Sequence, residues 1–289
     1  MLVTIEDKSN LEDSSPKEES RNKKPHPLNQ KKKKISYSEL KIWSECAYKH
    51  KLIYVEKIKK FQGNEYTSFG TALHYVCENV VVDESTVERA HDIFELKFLE
   101  ELQSLHKTGF EFNKKLVRDM RAQGKDLVKY ILPQLKKVFG EYKVISVEEP
   151  IYESIEDFET DYNFKGFIDL VIQTDDGVYH VIDWKSCSWG WDMKRKSDKL
   201  TTYQLTLYKN FFSLKYNIDA SKVETHFALL KRTAKKQKVE IFRVSSGQRK
   251  MKNALELLQK AITNIDKQNY LKNRLSCKRC EFYKTKHCR

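Results

Sequence analysis

Along the chain, apolar residues recur first at helical and then at strand spacing, and the change falls near residue 143. Leu40, Trp43, Ala47 and Tyr48 share one helical face, which predicts a helix over 39–51 capped by Ser38. A second helix is expected from Gly70 to Val81, and Ser85 with Glu88 forms a capping-box pattern ahead of a third that reaches Ser104. A fourth covers 113–139, kinked near Pro133 because proline has no N–H to donate. Beyond residue 143, the stretches Val144–Glu153, Asn163–Gln173 and Val178–Lys185 read as strands, and Asp175-Asp176-Gly177 supplies a tight turn between the last two. A helix over 199–214, strands at 223–230 and 239–244 and a helix over 248–265 complete the pattern. The whole predicts a mixed α/β fold, with a helical part at 70–140 ahead of a sheet core at 143–245. No internal repeat interrupts it.

Residues 1–34 break this regularity, because Pro25, Pro27 and the run Lys31–Lys34 stand among charges with almost no apolar periodicity. A disordered tail is expected there, followed by one domain over 35–289. No apolar run approaches the roughly 20 residues that span a bilayer, and Met1–Ser20 is too acidic and polar for a secretory signal. A cytoplasmic, reducing location follows as the expectation.

The formal charge of +13 points to a polyanionic partner, since Lys and Arg gain free energy by releasing counterions from phosphates. Lys231, Arg232, Lys235, Lys236 and Lys238 concentrate that charge between two strands, as a basic hairpin tip would. Lys194, Arg195 and Lys196 add to it, and Trp189 or Trp191 could stack unpaired bases.

Candidate chemistry gathers where two predicted strands meet, with Asp169 on one and Asp183-Trp184-Lys185 on the next. In a strand, Asp183 and Lys185 point to one face while Ile182 and Trp184 turn to the other for packing. Two carboxylates at adjacent strand ends offer hard oxygen ligands to Mg2+ or Mn2+, and Lys185 can orient a water or neutralise the charge of a transition state. Glu149, on the strand leading into this core, is a candidate supporting acid. A buried charge pair kept only for structure would be costly, so function is the expected reason for it.

These residues resemble the RecB-like branch of the PD-(D/E)xK nucleases in five ordered places spanning about 36–289. The first is Ser36-Tyr37-Ser38-Glu39-Leu40 with Trp43 and Cys46, and the second is Gly70-Thr71-Ala72-Leu73-His74. Asp169 with Gly166 just ahead of it, and Asp183-Trp184-Lys185, resemble the catalytic strands. Gln204-Leu205-Thr206-Leu207-Tyr208 resembles the Gln-x-x-x-Tyr helix that follows them. The resemblance implies a restriction-endonuclease-like mixed sheet flanked by helices, with an N-terminal helical insertion. It also implies that His74 ligates metal beside Asp169 and Asp183, and that Gln204 and Tyr208 line the site or contact DNA.

The fifth place is a cysteine cluster. Cys277 and Cys280 are spaced to converge on one centre, and Cys288 with the distant Cys46 would complete a four-thiolate site. Zinc and a [4Fe-4S] cluster both accept such a set. The resemblance to iron-sulfur members of the branch, CRISPR-associated ones included, implies the cluster as a staple between 277–289 and Cys46. Cys77 and Cys187 are expected to be ordinary thiols. The activity implied is metal-dependent DNA cleavage in recombination, repair or replication, as an exonuclease on single-stranded ends. A structure-specific endonuclease, the nuclease partner of a helicase and a non-catalytic DNA-binding module are the alternatives.

Overall fold

The computed structural model describes residues 32–58, 63–83, 86–156 and 158–289. The expected tail lies outside the described residues up to Lys31, as does Ser85. The first strand, β1, already begins within the lysine run, at Lys33–Ser36.

Helix α1 (Tyr37–Glu45) is capped by Ser36, whose Oγ accepts the Glu39 N–H at 3.2 Å, and not by Ser38, which sits inside the helix. Cys46 is extended and separates α1 from α2 (Ala47–His50), which continues as a π-turn over Lys51–Val55. The helical part consists of α3 (Glu65–Asp83), α4 (Val87–His106), α5 (Lys114–Val128) and α6 (Ile131–Phe139). Thr86 caps α4. The expected kink at Pro133 falls instead at Lys129 and Tyr130, because Pro133 occupies the first turn of α6. An N–H there has no helical acceptor, so proline costs nothing.

Strands β2 (Tyr142–Ser154), β3 (Tyr162–Thr174), β4 (Tyr179–Cys187), β5 (Val223–Lys231) and β6 (Val239–Arg243) join β1 in one mixed sheet of order β1-β3-β4-β5-β6, with β2 also paired to β3. The β3–β4 connection is the expected tight turn, with Gly177 at φ +79, a left-handed value that glycine adopts without a Cβ clash. β4 and β5 run parallel, so a crossover must join them; it holds α7 (Met193–Lys196) and α8 (Lys199–Tyr216). Helix α9 (Gln248–Asp266) precedes the C-terminal cysteine segment.

Helices cover both faces. Val181, Leu205, Phe211 and Leu258 belong to the core beneath α8 and α9, while Leu73, Phe94, Ile182 and Trp184 belong to the core beneath α3 to α6. Ile182 and Trp184 are thus buried on the face opposite Asp183, as strand alternation requires. Among the described residues no helix is long and apolar enough to cross a membrane.

Candidate active site

β3 carries two partners on one edge in succession, β1 at Tyr162–Lys165 and β4 at Leu170–Gln173. Between them that edge is open, and β3 and β4 fork apart just where Asp169 and Asp183 stand. Asp169 closes the fork with its side chain: Oδ2 accepts the Trp184 N–H at 2.7 Å, in place of a ladder bond. Both acids are buried, Asp169 at 9% and Asp183 at 1% exposure, so their charges interact in a medium that screens poorly.

The remaining groups converge from both faces. His74, on α3, brings Nδ1 to 3.5 Å from Asp169 Oδ2. Gly70 lets that helix approach, since a Cβ there would lie 3.0 Å from Ser186 Oγ on β4. From the other face, Gln204 donates to Asp183 Oδ1 at 2.7 Å and lies 3.3 Å from the Tyr208 hydroxyl. Gly166 makes room for that tyrosine, because a Cβ would meet its ring at 2.7 Å. Asp183 Oδ2 faces the Lys185 ammonium in close contact.

Burial and the neighbouring Asp183 push the Asp169 carboxyl well above the usual carboxylate range, against the pull of Lys185. Burial lowers His74, which therefore keeps a neutral imidazole with a lone pair to offer. Two buried acids that share one lysine, beside a neutral histidine, are a donor set suited to a divalent cation.

Two acids absent from the expected set belong here. Glu78 lies one helical turn beyond His74, and burial and the facing Glu148 push its carboxyl up to about 7. Glu148, at φ +48, lies across from Asp169, because its neighbours Val147 and Glu149 pair with Leu170 and Ile168. The strand rotates at this point: Ile168 packs in one core and Leu170, two residues on, in the other. Glu149 consequently turns away from the site, accepting from Lys215 Nζ and the Tyr216 hydroxyl, each at 2.5 Å. It anchors the end of α8. The i, i+4 spacing of His74 and Glu78 was a usable signal, whereas the left-handed turn at Glu148 left none.

The basic hairpin is divided. Lys231 pairs with Glu240 at 3.1 Å, Arg232 donates to Gln123 at 2.5 Å and lies over the Tyr66 and Phe69 rings, and Lys238 pairs with Asp126 at 2.8 Å. These three cations are spent inside the protein; Lys235 and Lys236 are exposed. Lys196 is likewise engaged with Glu240, and Arg195 lies over Trp191. Trp191 is core against Phe227, and Trp189 is 78% exposed.

The two chain ends meet at the cysteines. Tyr48 N–H donates to the Leu271 carbonyl at 3.2 Å, the Asn273 N–H lies 3.4 Å from Cys46 Sγ, and the Tyr48 hydroxyl donates to the His287 carbonyl at 3.2 Å. All six cysteines are free. Cys77 is buried on the inner face of α3, and Cys187 packs against the α8 core.

No curated protein matches the chain by sequence. Among solved structures, a candidate exonuclease from Eubacterium rectale superposes with a TM-score of 0.55 at 12% identity, over 86% of each chain, which shows the same fold. SSO0001 matches 82% of this chain and 91% of its own at 18% identity, with a TM-score of 0.34 that carries no argument. The sheet order and flanking helices are those of a restriction-endonuclease-like fold. The sequence profile of the PD-(D/E)XK nucleases matches residues 34–285, nearly all of the described chain, and the protein belongs to the PD-(D/E)XK nuclease superfamily, whose members hydrolyse phosphodiester bonds.

Proposed function

We propose that this nuclease is a divalent-cation-dependent deoxyribonuclease that works on single-stranded DNA ends. The observation that carries the reading is the buried pair Asp169 and Asp183 on adjacent strands, with Lys185 in contact with Asp183. Asp169, Asp183 and His74 would hold Mg2+ or Mn2+, which supplies Lewis-acid stabilisation and a more acidic bound water. Lys185 orients the attacking water and places its ammonium against the charge that grows on phosphate. Gln204 holds Asp183 by Oδ1 and leaves Oδ2 to the lysine.

The single-strand preference is supported by a cavity of about 670 Å³ beside the fork, bounded by β1, α1 and β3. Lys34, Lys57 and Lys165 line it together with Tyr37, Tyr54 and Phe167, a mixture of phosphate-binding cations and rings on which unpaired bases can stack. Gly166 and Tyr208 form its inner wall next to the acids. End-labelled single strands should be degraded faster than duplex, and circular single strands should resist. Efficient cleavage of circles would favour an endonuclease.

For Cys46, Cys277, Cys280 and Cys288 the proposal is an iron-sulfur staple. Four free thiols on two apposed segments fit it chemically. Protein purified without oxygen should be brown, and Cys46→Ala should lose the colour and lower the Tm together. Colourless protein with one tightly held zinc would replace iron by zinc.

A further inference from the structure

At the opposite end of β4 from Lys185, three ligand-bearing side chains meet on one face of the sheet. His180 on β4 is paired in register with Glu224 on β5, and His226 follows two residues later. His180 Nδ1 lies 3.1 Å from His226 Nε2 and 3.8 Å from Glu224 Oε2, and the third side of the triangle, His226 Nε2 to Glu224 Oε2, is 3.6 Å. The same three atoms form every side. The centre of that triangle lies about 2.0 Å from all three corners, which is the length of a zinc–nitrogen or zinc–oxygen bond.

We propose that His180 Nδ1, His226 Nε2 and Glu224 Oε2 form a structural site for a Zn2+-class cation, separate from the catalytic fork. Its donor set of two imidazoles and one carboxylate is the borderline-soft one that zinc prefers over magnesium.

The surroundings have the form that orients metal-bound histidines. The other ring nitrogen of His180, Nε2, lies 3.0 Å from Thr174 Oγ1, and that hydroxyl donates to Asp176 Oδ1 at 2.6 Å. Such a chain fixes the tautomer that leaves Nδ1 unprotonated. Phe139 packs against both imidazoles, with ring centroids 4.8 Å and 5.1 Å away, and holds their planes. Burial pushes His226 down to about 3, with the facing His180 adding to it, and burial lowers His180 as well, so neither ring carries the charge that would repel a cation. Glu224 keeps its second oxygen for Arg243, which pairs with Oε1 at 2.8 Å and leaves Oε2 to the histidines. Three protein ligands leave the fourth tetrahedral position to water, and the Glu224 side chain is 24% exposed at this edge. A cation here would clip β4 to β5 and to the turn that carries Thr174 and Asp176.

Without a cation, the same atoms make one N–H···N hydrogen bond between neutral imidazoles, so the experiment must separate the two. Full-length protein is dialysed to equilibrium against micromolar zinc, and its metal content and Tm are compared with those of His226→Gln, Glu224→Gln and Thr174→Val, with folding checked by circular dichroism. Wild type should hold one zinc more than His226→Gln. Glu224→Gln, which keeps the shape and the histidine pair, should bind that zinc at least about tenfold more weakly, and Thr174→Val about tenfold more weakly through its effect on the ring. Zinc should raise the Tm of wild type more than that of Glu224→Gln. The cysteines and the catalytic acids are untouched in all three variants, so any zinc they hold cancels in the difference. If His226→Gln fails to fold, Glu224→Gln alone decides. Equal zinc content and equal zinc-induced shifts in wild type and a folded variant would overturn the site and leave only the hydrogen bond.

Discussion

Asp169 and Glu149 lie on paired strands, Glu149 directly across from Ile168, and both are buried carboxylates, yet their surroundings act on them in opposite directions. Burial raises Glu149 too, but the Lys215 ammonium and the Tyr216 hydroxyl outweigh it and hold the carboxyl below its ordinary 4.5. Asp169 has one backbone donor and a second acid for company, so burial prevails. A buried carboxylate kept for structure is matched by donors, and one kept for chemistry is left short of a cation.

The largest effect that tests this contrast is on catalysis. Asp183→Asn and Lys185→Ala should each slow cleavage on the order of 10³-fold, about 4 kcal/mol of barrier, with DNA binding changed by only a few fold. Single-turnover rates on end-labelled DNA measure it, and full activity in either variant would remove these residues from the chemistry.

Next come opposite shifts in stability. Glu149→Gln should cost about 1–3 kcal/mol by loss of two charge-assisted bonds, whereas Asp169→Asn in metal-free protein should add on the order of 1 kcal/mol by removing repulsion. The two also differ in their pH dependence. A depressed Glu149 contributes stability above its unfolded value, lost as pH falls through its folded value below 4.5, so the Glu149→Gln deficit should vanish in acid. A raised Asp169 stabilises nothing at neutral pH; its penalty grows as pH climbs from the unfolded toward the folded value, and the Asp169→Asn gain should grow with it. Denaturant melts across pH read both, and shifts of the same sign would break the comparison.

The smallest effect separates surface from interior among the basic residues. Neutralising Lys235 and Lys236 should lower the salt dependence of single-strand binding by about 1.4 units in the log–log slope and leave the Tm unchanged. Neutralising Lys231 or Lys238, which are paired within the protein, should lower the Tm instead. An unchanged slope in the first pair would make the hairpin a solubilising loop.

Elements formed by local pattern were legible in advance. The strands at 162–174 and 179–187 and the helix at 199–216 fall within about two residues of the expected ends, because apolar periodicity there agrees with tight turns and caps. Strand alternation made Asp183 and Lys185 candidates with Asp169 across the turn, whereas His74, Gln204 and Tyr208 were candidates through the family resemblance; the structure places the six side by side. The cap was misplaced at Ser38 instead of Ser36, and Pro133 was misread as a kink, because a cap and a first turn depend on where the backbone enters the helix and not on residue type.

The sequence by itself determined the secondary elements, the two strands that bear the acids and the basic charge, because periodicity and turn chemistry act within a few residues. Tertiary structure alone decided that Glu148 and not Glu149 faces Asp169, that Lys231 and Arg232 turn inward, and that His180 meets Glu224 and His226 across two strands joined by a helical crossover. A rotation of one strand by one residue, or a side-chain contact between parallel strands 46 residues apart, leaves no mark on local spacing. Only the packing of the two cores against the sheet sets which side chains meet.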